Sequence, residues 1–186
     1  MKLTQELRNG LIQIALYSIE YGLKQHEKYI PDIESLPSEY KLHAATFVTV
    51  FNRGKLNGCI GTITAFRPLA LDVSLNAWDA AFGDRRFKAI DSMQDLEVEI
   101  SILSRLKKIS FKDEEDLTAK VNANTDGILL KYADKQATFL PTVWESLPDK
   151  KAFIDHLKVK AGLSSNFCSE KIQIFRYTTE KIKSNE

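Results

Sequence analysis

Cys59 is the strongest candidate for a reactive side chain, because it lies between two glycines in the stretch LNGCIGT at residues 56–62. One interpretation makes it a small buried core residue, since cysteines outside disulfides are among the most buried residue types. The other makes it a reactive or ligand-contacting thiol in a cleft, which requires a nearby cation or general base. No motif pairs Cys59 with a histidine, so the residue types alone leave both interpretations open.

Two other groups of charged residues could form a binding or catalytic site. The stretch DRRF at residues 84–87 supplies a carboxylate and two guanidinium groups, and arginine binds anions bidentately. It is therefore either an anion clamp or an exposed loop with a local salt bridge. Glu97 and Glu99 share one face of a predicted strand, and a solvated sheet face explains them better than a paired-carboxylate site.

Composition narrows the function classes. The chain has 186 residues, of which 44% are hydrophobic and 27% charged, and its net charge is +1. These values predict one globular domain over residues 1–186, with no global field for nucleic acid or anionic membranes. The N-terminal stretch lacks the apolar core of a signal peptide, and no apolar run approaches the roughly 18 residues of a membrane span. We therefore expect a cytoplasmic protein.

The spacing of metal-binding and nucleotide-binding motifs is missing from this sequence. The two cysteines, Cys59 and Cys168, lie far apart and do not have zinc-site spacing. The GCIG stretch resembles neither a phosphate loop nor a dinucleotide fingerprint. We expect no metal and no cofactor.

The elements that must position these groups can be read from periodicity and caps. Helices are predicted over residues 4–25, from Pro68 to Gly83, within the charged stretch 111–127, and from Asp149 to Gly162. Helical spacing predicts one apolar stripe on each of the first two helices: Leu7, Leu11, Ala15, Ile19 and Leu23, and then Leu71, Leu75, Trp78 and Phe82. Strands are predicted in the runs ATFVTVFNRGKLNGCIGTIT, LEVEISIL, GILLKYADKQATFLP and KIQIFRYTT. Two of these runs form hairpins, which implies antiparallel pairing. The predicted fold class is α+β, with a mixed, largely antiparallel sheet and flanking helices.

The register of the first hairpin decides which residue lies beside the Cys59 thiol. A two-residue loop pairs Phe51 with Leu56 and places Cys59 beside Val48. A three-residue loop with Gly54 in a bulge pairs Phe51 with Lys55 and places Cys59 beside Phe47. The stretch NRG favours the second arrangement, because it suits a type I turn followed by glycine.

Several blocks of the sequence together resemble a known family. The stretch LNGCIGT is similar to the hexapeptide Leu-Arg-Gly-Cys-Ile-Gly of AMMECR-type domains, which include protein A of the AmmeMemoRadiSam system. The stretches NAWDAAFGDRRF, LEVEISILS, TDGILLKY and ATFLPTVWESLPDKKAFIDHLKVKAGL follow the family pattern in order. The resemblance covers about residues 5–180. It implies one domain with a larger and a smaller lobe and with residues 56–61 near the cleft between them.

The resemblance also implies the residues of a site. The hexapeptide is matched at five positions: Leu56, Gly58, Cys59, Ile60 and Gly61. The family's Asp-x-Arg-Phe element is matched by Asp84, Arg86 and Phe87, and its Leu-Pro-x-Val-Trp element by Leu140, Pro141, Val143 and Trp144. Asn57 departs from the family, which has arginine there. Asparagine can hydrogen-bond but supplies no charge, so either another arginine such as Arg86 substitutes or the family does not activate its cysteine.

Two functions follow as hypotheses. The first is an accessory or interaction module that binds a partner protein or small ligand in the cleft. The resemblance implies a Memo-like protein and a radical-SAM enzyme as its associates. The second is an enzyme with Cys59 as nucleophile or redox thiol and with Asp84 and Arg86 as orienting groups. The first is favoured, because the sequence shows no acid–base partner for the thiol and lacks the adjacent arginine.

Overall fold

Helices and strands follow each other irregularly along residues 3–185, the part of the chain that this structure, a computed structural model, describes. The α-helices are α1 (Gln5–Gln25), α2 (Ser38–Lys41), α3 (Leu69–Trp78), α4 (Glu114–Lys120) and α5 (Lys150–Lys160). The strands are β1 (Thr46–Asn52), β2 (Lys55–Gly61), β3 (Leu96–Leu103), β4 (Lys107–Ile109), β5 (Gly127–Tyr132), β6 (Lys135–Phe139), β7 (Gln173–Tyr177) and β8 (Thr179–Lys183). The segments Ile33–Ser35 and Pro141–Glu145 are 3-10 helices, and Asp79–Gly83 is a π-helix.

These elements divide into two units of unequal size. The larger unit comprises residues 1–103 and 180–186, and the smaller comprises residues 104–179. A four-stranded sheet of order β2-β1-β3-β8 belongs to the larger unit, and one of order β4-β7-β5-β6 to the smaller. Strand β1 pairs antiparallel with β2 and β3, and β7 pairs antiparallel with β4 and β5. The α+β prediction with largely antiparallel pairing is confirmed.

The core of the larger unit lies between α1, α3 and one face of the first sheet. Helix α1 begins as predicted at Thr4, whose side-chain oxygen accepts a hydrogen bond from the Leu7 amide at 3.2 Å. The predicted apolar stripe of α1 is buried at Leu7, Leu11, Ala15 and Ile19, and its last member, Leu23, is partly buried against the same core. It packs with Val48 and Val50 of β1 and with Val98 and Ile100 of β3.

Helix α3 packs on a different face from the predicted one. The expected stripe was Leu71, Leu75, Trp78 and Phe82, but each of these is only partly buried. The structure buries another stripe, formed by Leu69, Val73, Ala77 and Ala80. Both stripes have helical spacing, so periodicity alone cannot decide between them.

The first hairpin has a register that differs from both alternatives. The loop has two residues, Arg53 and Gly54, and both have positive φ angles, 51° and 70°. Phe51 therefore pairs with Leu56, so the favoured three-residue loop is wrong. A bulge then shifts the register, so that Val50 pairs with Gly58 and Thr49 with Cys59.

The smaller unit is built around Trp144, which is 1% exposed and stacks on Phe153 with the ring centroids 3.7 Å apart. Helix α5 has the predicted cap, in which Asp149 accepts from the Ala152 amide at 2.8 Å. Gly162, at φ 74°, follows the end of that helix as predicted. The final run KIQIFRYTT was predicted as a strand, and β7 lies within it. Strand β8, which begins at Thr179 and lies in the other sheet, was not predicted.

No helix within residues 3–185 is both long enough and apolar enough to cross a membrane.

Candidate functional site

A π-helix leads the chain from α3 to Asp84. Residues Asp79–Gly83 continue the helix with a wider turn, and the chain then becomes extended at Asp84. This π-helix lies directly against strand β2, because an added Cβ at Gly58 would sit 1.9 Å from the Ala80 carbonyl oxygen. The wider turn therefore places Asp84 at the outer edge of β2. In other proteins, π-helical turns often occur at functional sites.

Asp84 and Arg86 together bind the main chain of Cys59. The Cys59 amide donates to Asp84 Oδ2 at 3.0 Å, and Arg86 Nη2 donates to the Cys59 carbonyl oxygen at 3.2 Å. Arg86 also donates to both carboxylate oxygens, from Nε at 2.9 Å and from Nη2 at 2.6 Å. We call this arrangement the Asp84–Arg86 clasp.

The clasp occupies the free edge of the first sheet. Strand β2 is the edge strand, and Cys59 forms a pair with Thr49 in which its amide and carbonyl point away from β1. Edge strands need such protection, because unpaired main-chain groups recruit other strands. The clasp therefore provides hydrogen-bond partners for the Cys59 amide and carbonyl, which could otherwise pair with an additional strand.

Electrostatics keep the clasp charged. The hydrogen bond from Arg86 holds the pKa of Asp84 well below its usual range, although burial of the carboxylate opposes this shift. The pKa of Arg86 is raised, first by its hydrogen bond to Asp84. The Asp84 side chain is 4% exposed and that of Arg86 is 62% exposed. A buried carboxylate thus fixes a cation that faces solvent.

The Cys59 thiol lies on the face of the first sheet opposite the α1 and α3 core. Its sulfur accepts a hydrogen bond from Thr49 Oγ1 at 3.4 Å, and the residue is half-buried. A Coulombic interaction with Cys59 is the smallest of the causes that raise the pKa of Arg86. The hydrogen bond that Arg86 makes to this residue goes to the Cys59 carbonyl oxygen.

The two glycines that flank the cysteine make room for the protein's own atoms. The Ala80 carbonyl occupies the space beside Gly58. An added Cβ at Gly61 would lie 2.3 Å from Phe47 Cγ and 2.4 Å from the Thr46 carbonyl oxygen. The close approach that these glycines permit is thus made by the π-helix and by β1.

Asn57 is the extra residue of the bulge, because it has no partner in β1 between the pairs of Leu56 and Gly58. Its side-chain amide donates to the Lys88 carbonyl oxygen at 2.9 Å. This bond ties a second point of β2 to the segment 84–88. Asparagine therefore has a structural contact at the position where the resemblance implies arginine.

The remaining predicted site residues fall into different surroundings. Leu56 is 46% exposed, whereas Ile60 is partly buried against the core of the larger unit. Phe87 lies beside the clasp, with its ring centroid 5.4 Å from the Arg86 guanidinium carbon. Pro141 belongs to the smaller unit, where it begins the 3-10 helix Pro141–Glu145, and its place in a site stays a prediction.

Several contributing residues were missed from sequence. Thr49 contacts the sulfur, and Ala80 and Lys88 contact the strand through their carbonyl oxygens. Main-chain contacts of this kind leave no signal in residue type.

Glu99 was predicted on a solvated face, but its side chain is 12% exposed and lies 3.4 Å from Lys181 Nζ. Within residues 3–185, no group of three or more His, Cys, Asp or Glu side chains is arranged to hold a metal ion.

The fold and the clasp define a two-unit α+β protein whose edge cysteine strand is tied to an Asp-x-Arg-Phe segment. Comparison with known proteins supplies the family. The AMMECR1 family model matches residues 12–182, and the chain belongs to that family.

Relatives and a solved structure agree with this assignment. A protein of Methanothermobacter thermautotrophicus is 26% identical over 96% of this chain and 94% of its own length. A protein of Methanopyrus kandleri is 28% identical over 100% of this chain and 92% of its own length. The crystal structure of the uncharacterized protein PH0010 from Pyrococcus horikoshii superposes with a TM-score of 0.88 at 26% identity, covering 98% of this chain and 94% of that one. None of these three names states an activity.

Proposed function

We propose that this AMMECR1-family chain is a binding module, and that strand β2 with the segment 84–88 forms its partner-binding surface. The observation that carries the proposal is the clasp, which holds the Arg86 guanidinium in one orientation while 62% of that side chain stays exposed. A prearranged cation loses little conformational entropy on binding. Leu56, 46% exposed on the same strand, adds an apolar contact.

The charges around β2 favour an acidic partner segment. Arg53, Lys55, Arg85 and Lys88 are all exposed in or beside the hairpin and the clasp. Asp95 and Asp91 compensate two of these, since they lie 3.7 Å from Arg53 and 3.1 Å from Lys88. Within residues 3–185, Lys55 and Arg85 form no ion pair. The surface therefore keeps a positive excess that complements carboxylates.

Family resemblance supplies candidate partners for this surface. A Memo-like protein and a radical-SAM enzyme are the proteins associated with AMMECR-type domains, and both would be met in the cytoplasm. We propose the Memo-like protein as the first partner to test. A small ligand is the alternative occupant, and it would bind without either protein.

The test is the affinity of the full chain for the Memo-like protein of the same organism, measured by titration. Replacing Leu56 by Asp should weaken binding at least about tenfold, because it puts a negative charge into a surface that receives carboxylates. The matched control is Leu42→Asp, since Leu42 is 49% exposed and precedes β1. Equal affinities of the two variants, or no complex at micromolar concentration, would overturn the proposal.

A second candidate function is catalysis by Cys59. Its support is the hydrogen bond from Thr49 Oγ1 to the sulfur and the bond from the Arg86 guanidinium to the main chain of the same residue, because a nearby cation favours a thiolate. The test compares the alkylation rates of Cys59 and Cys168 in the folded chain across pH. A nucleophilic role requires Cys59 to react at a pH well below the ordinary thiol range of about 8.5, while Cys168 does not. A Cys59 that stays inert while the chain is folded would exclude it.

A further inference from the structure

The smaller unit contains a pocket that none of the site residues discussed above lines. Its volume is about 470 Å³, and its lining residues all lie between Lys108 and Ile174. Its floor is apolar, with Ile109, Leu130, Ile154 and Ile174 each no more than 3% exposed. Pockets of about 300–1,000 Å³ with an apolar lining and a few polar groups are typical small-molecule sites.

One charged side chain in the wall of this pocket is almost completely buried. Lys158, on α5, is only 4% exposed. Its ammonium donates to Glu114 Oε2 at 2.5 Å and to the Ser165 carbonyl oxygen at 3.0 Å. Because burying a charge is costly without fixed partners, these two bonds determine where the ammonium sits.

The ammonium keeps one donor for another acceptor. A lysine ammonium has three N–H donors, and two of them are used by Glu114 and Ser165. The nearest remaining acidic atom is Asp155 Oδ1 at 3.7 Å, which is beyond hydrogen-bond distance. Within residues 3–185, Asp155 Oδ1 is itself without a hydrogen-bond partner. The pocket wall therefore holds a fixed cation with one unused N–H.

The other charged groups of the lining balance each other, so the preference for an anion depends on the free N–H of Lys158. Glu114 is neutralised from two sides, since Lys151 Nζ lies 3.4 Å from its other oxygen. Asp113 Oδ1 accepts from the Asp116 amide and so caps α4. Within residues 3–185, two lining lysines, Lys108 and Lys112, form no ion pair, and neither do two lining acids, Asp113 and Glu170.

We propose that the smaller unit binds a small hydrophobic carboxylate in this pocket. The apolar chain of the ligand would lie on the isoleucine and leucine floor, and its carboxylate would accept the third hydrogen bond of Lys158. This binding site is independent of the partner surface on β2, so either proposal can fail alone.

The experiment uses the full chain and three ligands with the same ten-carbon chain: decanoate, decanol and decylammonium. Calorimetric titration should show decanoate binding at least about tenfold more tightly than decanol, since hydrogen bonds to charged groups are the strong ones. Decylammonium should bind more weakly than either. Cys168 lines the pocket, so decanoate should slow its alkylation and leave the rate at Cys59 unchanged.

Three variants locate the site. Lys158→Met should retain decanol binding and lose the preference for decanoate, whereas Lys160→Met, on the same helix and outside the lining, should keep it. Ser110→Trp fills the pocket from an exposed lining position and should abolish binding, which keeps the test valid if Lys158→Met does not fold. Equal affinities for decanoate and decanol, binding that survives Ser110→Trp, or no binding at about 1 mM would each overturn the proposal.

Discussion

Two aspartates of the larger unit are each held by an arginine, and the two pairs differ in what they present to solvent. Asp72 bonds to Arg67 at 2.7 Å and Asp84 to Arg86 at 2.6 Å. Both carboxylates are buried, at 0% and 4% exposed. The Arg67 side chain is 18% exposed, whereas that of Arg86 is 62% exposed.

The remaining partners of the carboxylates explain this difference. Asp72 accepts from the Thr46 amide and hydroxyl, from Thr62 Oγ1 and from Asn76 Nδ2, at 2.6–3.0 Å. These groups enclose it and tie α3 to the ends of β1 and β2. Asp84 instead accepts from main-chain amides of Cys59 and Arg86 at one edge of the sheet. The Asp72–Arg67 pair therefore only connects parts of the larger unit, whereas the Asp84–Arg86 pair also holds a cation that faces solvent.

The largest effect should come from the enclosed pair. Asp72→Asn should lower the free energy of unfolding by about 3–5 kcal/mol, because it leaves the Arg67 charge without its buried partner. Urea denaturation followed by circular dichroism measures the loss. Asp91→Asn is the control, since that aspartate is 72% exposed and its surface ion pair should contribute less than about 1 kcal/mol. Similar losses in the two variants would contradict the role of enclosure.

The exposed pair should matter less and should depend on pH. Asp84→Asn should cost about 2–3 kcal/mol at neutral pH, since it weakens hydrogen bonds to a charged acceptor. Folding lowers the pKa of Asp84 below its ordinary 3.8, so its contribution is present above that pH and is lost as pH falls through the folded value. The difference in unfolding free energy between wild type and variant should therefore be constant near neutrality and shrink in acid. A difference that grows in acid would refute this account.

Packing behind the exposed pair gives the next effect. Gly58→Ala should cost about 1–3 kcal/mol, because the new methyl group meets the Ala80 carbonyl and pushes the π-helix away from β2. Thermal unfolding measures the loss. Gly83→Ala is the matched control, since the nearest atom to its added Cβ would be Asp79 Oδ1 at 3.4 Å. If both variants melt together, the contact of β2 with the π-helix does not support the clasp.

The smallest effect should come from the bulge. Asn57→Ala removes only the bond to the Lys88 carbonyl and should cost less than about 1 kcal/mol. Amide hydrogen exchange of residues 84–88 should nevertheless increase, since this bond anchors the end of that segment. Unchanged exchange there would show that the clasp alone holds the segment.

Local signals predicted the elements well. The Thr4 and Asp149 caps and the Gly162 stop each act within a few residues, and each is confirmed. The family resemblance named Cys59, Asp84 and Arg86 as site residues but left their contact open. The contact of Cys59 with Asp84 joins residues 25 positions apart, which no local pattern indicates.

Three features of the fold depend on long-range packing and could not be predicted from the sequence. The bulge at Asn57 changes the partner of Cys59 to Thr49, and no residue between Phe51 and Cys59 signals it. The inward stripe of α3 depends on which face meets α1 and the sheet. Strand β8, which was not predicted, belongs to the first sheet because of strand pairings with distant parts of the chain.

The place of β8 in the first sheet has a consequence for synthesis on the ribosome. Strand β8 completes the larger unit only after residues 104–179 have been made, whereas the smaller unit is continuous in sequence. Main-chain and side-chain bonds between Ser104 and Thr178, both 2.9 Å, bring the ends of that continuous segment together. We expect the smaller unit to gain protease resistance first on stalled nascent chains, with α1 to β3 remaining cleavable until β8 emerges. Protease resistance of the first hundred residues before β8 emerges would contradict this expected order.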